Sequence, residues 1–214
     1  MITAIIFDFD GVLVESAHIK TSAFRQLFSS WDDKVEEIVN YHLENMGISR
    51  YVKFKHFYEN ILNEEYSEAL GKQLGAEFSN IVLDEIKKAP FVKGTEEFLR
   101  ANYQKYLLFI ASGTPQEELD EIVSSREMKK FFKEIHGTPS TKREIVEGIL
   151  HEYNIKRDET VFIGDAESDM IAARETGIKF FLRSTSENES LSDYSNHKIN
   201  DLTQLKDKIE EVGL

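Results

Sequence analysis

Two carboxylates one residue apart, Asp8 and Asp10, stand where the apolar run Ala4-Ile5-Ile6-Phe7 ends and Gly11 lets the chain turn. In an extended chain alternate residues share a side, so Asp8 and Asp10 emerge together and Phe7 and Phe9 face the other way. Two like charges this close repel, and a bound divalent cation is the usual remedy. Three further polar groupings follow: Ser112-Gly113-Thr114-Pro115, Pro139-Ser140-Thr141-Lys142, and Gly164-Asp165-Ala166-Glu167-Ser168-Asp169. Ser112 with the nearby N–H groups, including that of Gly113, is equipped to hold an oxyanion, although a serine there is also an ordinary turn residue. Lys142 falls in the first turn of a helix that Thr141 and Glu144 would cap, a place where a cation opposes the helix dipole. Asp165 and Asp169 lie four apart across a helix entry, where acids also serve to compensate the dipole. Glu167 reads as solvated.

These groupings need elements to position them. Ala4–Phe7, 106–111, 134–137, 160–163 and 180–182 read as short buried strands, with a sixth expected at 198–200. Helical patterns separate them and a last helix runs on from Leu202. Strands alternating with helices make a doubly wound parallel sheet of the α/β class, and ligands bind at the carboxyl ends of such strands. The acidic pair, Ser112 and Asp165 all fall at those ends. Thr114 and Glu117 form a capping-box pattern with Pro115 at the first helical position, so Thr114 is expected to cap a helix.

The segment 15–89 is different. It has no Pro and three Gly, and its apolar residues keep helical spacing. One face is Val35, Ile38, Val39, His42, Leu43 and Met46. A second is Tyr51, Phe54, Tyr58, Ile61 and Leu62, and a third is Tyr66, Leu70, Leu74, Phe78, Ile81 and Val82. This predicts an all-helical insert behind the acidic strand end, so that residues 1–14 and 90–214 form one unit and 15–89 another. Gly47-Ile48-Ser49-Arg50 interrupts two of its helices.

Composition narrows the function classes. The 214 residues are 41% hydrophobic and 30% charged, enough for a folded core. A formal net charge of −13 argues against a nucleic-acid partner. No Cys means no disulfide, no thiolate metal site and no thiol catalysis. The opening residues lack a basic region and are cut by Asp8, unlike a secretory leader, and no apolar run approaches membrane-spanning length. A cytoplasmic protein without a membrane partner is expected. The sequence is silent on oligomeric state.

Taken in order, Asp8-Phe9-Asp10-Gly11-Val12, Ser112, Lys142 and Gly164-Asp165…Asp169 resemble the motifs of the haloacid-dehalogenase-like hydrolase superfamily. The similarity is greatest to its phosphatases with a helical cap, the group that includes phosphoglycolate phosphatase and β-phosphoglucomutase. It spans the whole chain and implies a Rossmann-like core with an inserted cap. It also implies a Mg²⁺-dependent phosphatase acting on a small phosphorylated metabolite. Asp8 would be the nucleophile and a metal ligand, and Asp10 the general acid/base and a metal ligand through its carbonyl. Asp10 separates phosphoryl transfer from dehalogenation, which lacks this acid and the metal. Ser112, Gly113 and Lys142 would hold the phosphoryl group, with Lys142 offsetting charge on the nucleophile. Asp165 would bind the metal through its side chain. Asp169 would be an alternative ligand or would position Lys142 or a metal water. Oxygen donors without His or Cys favour Mg²⁺ over zinc.

By the same resemblance Arg50 faces the site from the cap loop and grips a second anionic group, whereas helix-start arginines in general are solvated. The chain departs from the family in two places. Met46 stands where the related loop has lysine, and Lys20 stands where a His is usual, with His18 nearby. Two rival readings share parts of this pattern: a sugar phosphomutase, and a phospho-accepting signalling module. The second leaves Asp10 and the helical insert without a purpose.

Overall fold

A buried, four-residue strand, β1 (Ala4–Phe7), forms the centre of the molecule. The computed structural model describes residues 1–185 and 187–212. β1 pairs in parallel with β2 (Leu107–Pro115) on one side and β4 (Thr160–Gly164) on the other. β3 (Glu134–Thr138), β5 (Lys179–Arg183) and β6 (Lys198–Ile199) complete a parallel sheet of order β3-β2-β1-β4-β5-β6. The order reverses at β1, which creates a crevice at the carboxyl edge between β1 and its neighbours.

Alternation along β1 sorts its side chains into two layers. Ile5 and Phe7 pack with Phe98 and Leu99 of α5 (Thr95–Asn102), Leu119 and Ile122 of α6 (Gln116–Ser125), and Leu205 and Ile209 of α9 (Leu205–Val212). Ala4 and Ile6 pack with Ile145, Val146 and Ile149 of α7 (Lys142–Glu152) and Ala173 of α8 (Glu167–Thr176). Both faces are covered, so the strands are apolar throughout rather than alternating.

The insert between β1 and β2 is helical as its spacing predicts. It contains α1 (Ala17–Leu27), α2 (Val35–Glu44), α3 (Arg50–His56), a π-helical turn at Phe57–Leu62, and α4 (Glu68–Lys88). Phe24, Phe28, Phe54, Phe57 and Phe78 fill its interior, mostly edge-on or tilted. Two expected face residues, Leu43 and Tyr51, are exposed. In α2 the buried stripe Val35, Ile38, Val39 and His42 follows helical spacing, and Leu43 falls at its edge. The two crossings between insert and sheet lie side by side: Val14 bridges to both Asp10 and Phe91, and the Glu15 N–H donates to the Pro90 carbonyl. Among the described residues no helix is long and apolar enough to cross a membrane.

One local expectation fails. β2 does not stop at Ala111 but runs on to Pro115, with a register irregularity against β3 between Ala111 and Pro115. Helix α6 therefore starts at Gln116, without a side-chain cap, and Thr114 caps nothing. Its hydroxyl turns instead to the half-buried carboxylate of Asp10, a charge-assisted bond stronger than a neutral helix cap.

Candidate active site

Asp8 leaves the end of β1 almost wholly buried. Its Oδ1 accepts the Phe9 N–H at 2.7 Å, and its Oδ2 lies 3.0 Å from Lys142 Nζ. Lys142 is placed as the sequence predicts, in the first turn of α7 behind a complete Thr141–Glu144 capping box. Its ammonium bridges Asp8 to Asp169, where Nζ donates to Oδ1 at 2.5 Å. The other oxygen of Asp169 accepts the Ala166 N–H at the entry to α8. Asp169 thus caps its helix and holds Lys142 with the same carboxylate.

Asp165, at the end of β4, is the orphan. Its backbone carbonyl accepts from Asn188 Nδ2 at 2.7 Å, but its carboxylate has no hydrogen bond or ion pair among the described residues. Asp8, Asp165 and Asp169 each offer an oxygen within 4.8 Å of the others. Gly11 makes this approach possible: it has φ of +75°, and a Cβ there would lie 2.1 Å from Asp165 Oδ2. Burial, opposed by Lys142 and reinforced by Asp169 and Asp10, pushes the Asp8 carboxyl up to about 7. Burial and the charges of Asp8 and Asp169 push Asp165 well above the usual carboxylate range. Burial disfavours the Lys142 charge, but Asp169 and Asp8 outweigh it and raise its pKa. Three buried acids served by one lysine leave an excess of negative charge.

Asp10 belongs to a separate knot. Its Oδ1 accepts from Ser16 Oγ at 2.7 Å, and its Oδ2 from Lys20 Nζ at 2.5 Å and Thr114 Oγ1 at 3.0 Å. Lys20 also donates to Thr114 Oγ1 at 2.8 Å. Burial works against the charge, yet Lys20, Ser16 and Thr114 together hold the Asp10 carboxyl below its ordinary value. Nothing in the sequence singled out Ser16. Lys20 was visible only as a departure from a resemblance, and Thr114 looked like a helix cap.

Ser112 is buried at the strand end, and its Oγ accepts the Thr114 N–H at 3.2 Å, which leaves its own O–H free to donate. Gly113 lies under the loop of the insert, where a Cβ would come 2.5 Å from the Gly47 carbonyl oxygen. Gly47, at φ +76°, is equally close to the core: a Cβ on it would lie 3.0 Å from Lys142 Nζ. Ser168 also donates to the Met46 carbonyl at 3.3 Å. The loop therefore closes directly over the acids. Arg50 reaches the same cavity as Asp8, Asp10, Lys20 and Asp165. Its guanidinium is not free, however. Nη1 and Nη2 donate to Glu118 at 2.9 and 2.6 Å, Nη1 also reaches Ser79, and the group lies 4.5 Å from the Phe78 ring centre. Glu118 comes from α6, so this buried pair ties the insert to the sheet layer. His18 has no part in the knot around Asp10, and Glu167 is exposed.

Comparison with known proteins agrees with this architecture. A phosphorylated carbohydrates phosphatase from Thermotoga maritima is 26% identical over 183 residues, covering 82% of each chain. The structure of a predicted phosphatase from Clostridium acetobutylicum superposes with a TM-score of 0.77 at 20% identity, covering 99% of both chains. A β-phosphoglucomutase from Clostridium difficile also gives 0.77 at 20% identity, covering 99% of this chain and 97% of its own. Residues 5–182 match the family model described as haloacid dehalogenase-like hydrolase. With that match running from the central strand to β5 and through every polar strand end described above, the chain belongs to the haloacid dehalogenase-like hydrolase family.

Proposed function

We propose that this hydrolase is a Mg²⁺-dependent phosphatase releasing inorganic phosphate from a small phosphorylated metabolite, with a phosphorylated carbohydrate as the leading class. The observation that carries the reading is the buried cluster of Asp8, Asp165 and Asp169 beside Lys142 at the sheet's switch point. The 26% identical relative named for phosphorylated carbohydrates supports the substrate class.

A divalent cation fits the residues present. Asp8, Asp165 and Asp169 bring buried carboxylate oxygens within 4.8 Å of one another, a hard-oxygen donor set with more negative charge than Lys142 alone offsets. Asp165 offers a carboxylate with no other partner among the described residues. Both oxygens of Asp169 already have donors, which favours its holding Lys142 over ligating directly. Asp8, Asp165 and the Asp10 carbonyl would hold the ion. When bound, Mg²⁺ supplies charge neutralisation for the ionised acids and the phosphoryl oxygens.

In this reading the Asp8 carboxylate attacks phosphorus, and the P–O bond to the leaving alkoxide breaks as the acyl phosphate forms. Ser112 Oγ–H, the Gly113 N–H and Lys142 hold the equatorial oxygens. The phosphate dianion bound beside Asp10 disfavours its charge, so Asp10 takes up a proton from solvent as substrate binds and hands it to the departing alkoxide. It recovers one from the water that attacks the phosphorus of aspartyl-phosphate, and phosphate and free Asp8 result. Lys20 and Thr114 keep Asp10 ionised for that second step. Residues 15–89 act as a lid. The cavity beside Asp8, about 50 Å³, holds a few waters and no sugar phosphate, so the lid must lift for entry. A screen of phosphorylated metabolites for phosphate release tests the reading. Absence of release from every class, with Mg²⁺ present, would overturn it. Product analysis by phosphorus NMR separates hydrolysis from transfer between sugar positions, the mutase alternative.

Two predictions follow from the charges. Without a cation, Asp8 carries a proton in the folded state up to about pH 7 that it loses near the ordinary carboxylate range when unfolded. The folded state then binds more protons, so metal-free stability falls as pH rises toward 7. Mg²⁺ binds the ionised acids and should therefore raise the melting temperature more at pH 8 than at pH 5. Asp165→Asn should remove most of that rise, as differential scanning fluorimetry would detect. An equal rise in the variant would remove Asp165 from the ion site. For Lys20→Met, loss of the adjacent cation should raise the Asp10 pKa and move the limb of the pH–rate profile that Asp10 sets to higher pH. An unmoved limb would separate Lys20 from Asp10 protonation.

A further inference from the structure

Three cations line the cavity beside Asp8, namely Lys20, Arg50 and Lys53, and a fourth, Lys142, pairs with Asp8 at its edge; three of the four have counter-charges. Lys20 pairs with Asp10, Lys142 with Asp8 and Asp169, and Arg50 with Glu118. Lys53, from α3, is the exception. It is 2% exposed, lines the same cavity, and has no carboxylate within ion-pair distance among the described residues. Its Nζ donates at 2.7 Å to His42 Nδ1 and lies 3.4 Å from the His42 carbonyl. His42 Nε2 lies 3.1 Å from Thr21 Oγ1, and its ring sits 4.5 Å from that of Phe24. With an ammonium on Lys53, the neutral imidazole must be the Nε2–H form, donating to Thr21 and accepting from Lys53. Two of three N–H directions of a Lys53 ammonium go to His42, and one remains for the cavity.

A buried amine without a counter-charge is costly unless it gives up its proton or a ligand brings the charge. Burial, then Lys20, Lys142 and Arg50, push Lys53 well below its ordinary range. Burial and the neighbouring Lys53 and Lys20 hold His42 down to about 2, so the ring cannot serve as a second cation. Arg50, the donor expected to meet a substrate's far end, already has Glu118 on both terminal nitrogens.

We propose that Lys53, oriented by His42, is the specificity residue of this site and binds a second anionic group, carboxylate or phosphate, on the phosphorylated substrate. This rests on the phosphatase reading and adds the substrate's second charge. That charge is the counter-ion Lys53 lacks, and Lys53 takes up a proton as the group binds. The charged groups acting on it are Lys20 on α1, Arg50 on its own helix and Lys142 on α7, each paired with an acid, and Asp8, Asp10 and Asp165 stand at the phosphoryl end of the same cavity.

The test measures wild type and Lys53→Met on three phosphorylated compounds of matched size: one with a free carboxylate, one with a second phosphate, one with a neutral tail. Wild type should prefer one doubly anionic compound, and which one identifies the group. In Lys53→Met the ratio of its kcat/KM to that of the neutral-tailed compound should fall about 10- to 100-fold, through KM. A wild type without preference for the second anion overturns the proposal, as does a folded variant with an unchanged ratio. Calorimetry with each of the three compounds on Asp8→Asn, with and without Lys53→Met, reads binding apart from turnover. Greater proton uptake with the favoured compound than with the neutral-tailed one, read in two buffers and lost with Lys53, is expected, and its persistence would count against Lys53. Phosphate release from none of the compounds overturns the phosphatase reading, while the calorimetric arm still decides Lys53.

Discussion

Asp8→Asn should lower phosphate release by at least ~10⁴-fold while the protein keeps its fold. The amide matches the carboxylate in shape, and its oxygen can still accept the Phe9 N–H that fixes the rotamer. It is a poor nucleophile, so no acyl phosphate forms. The packing argues for an intact fold. Asp8 sits among Asp165, Asp169 and Lys142, and removing its charge relieves repulsion on one side while weakening the Lys142 pair on the other. Melting should stay within a few degrees of wild type, and substrate should bind without turning over. Steady-state phosphate release, phosphorus NMR of the trapped enzyme and a thermal melt check the three parts. A variant retaining more than a few per cent of wild-type rate would remove Asp8 from the nucleophile's place.

Lys142→Met should be nearly as damaging, with a different signature. One well-placed donor to a developing charge contributes about 3 kcal/mol to the transition state, a loss of 10²- to 10³-fold in kcat. The lysine is also the only ion-pair partner of Asp8 and Asp169 among the described residues. Without it buried carboxylates lose their cation, a change that costs about 3–5 kcal/mol of stability. Metal-free Lys142→Met should therefore melt well below wild type. Mg²⁺ should restore much of the melting temperature, because it neutralises the same acids, and should leave the rate defect in place. A variant whose rate recovers along with its stability would show Lys142 to be structural.

Much of this was legible in the chain. The run from Ala4 to Phe7, the alternation that puts Asp8 and Asp10 on one side, and Gly11 are local features, and local sterics decide them. The same holds for the capping box at Thr141, the helical spacing of residues 15–89, and the six strands whose alternation with helices dictates a parallel sheet. Such a sheet gathers its strand ends at one edge, so Asp8, Ser112 and Asp165 could be placed together before any fold was seen.

What the chain did not disclose are the partnerships between residues distant in sequence. Thr114 looked like a cap because a capping box is a local pattern, and only the approach of Asp10, 104 residues away, offered its hydroxyl a better bond. Arg50 looked like a free donor until Glu118, 68 residues on, claimed both terminal nitrogens. Lys53 and His42 lay on unremarkable helical faces. Their buried contact, and the lack of an acid within ion-pair distance among the described residues, come from how α2 and α3 pack over the sheet. Periodicity states which face of a helix is buried. Which charges meet there is fixed only when several elements close on one cavity, because a buried charge is stabilised by whatever partner the packing brings within about 3 Å.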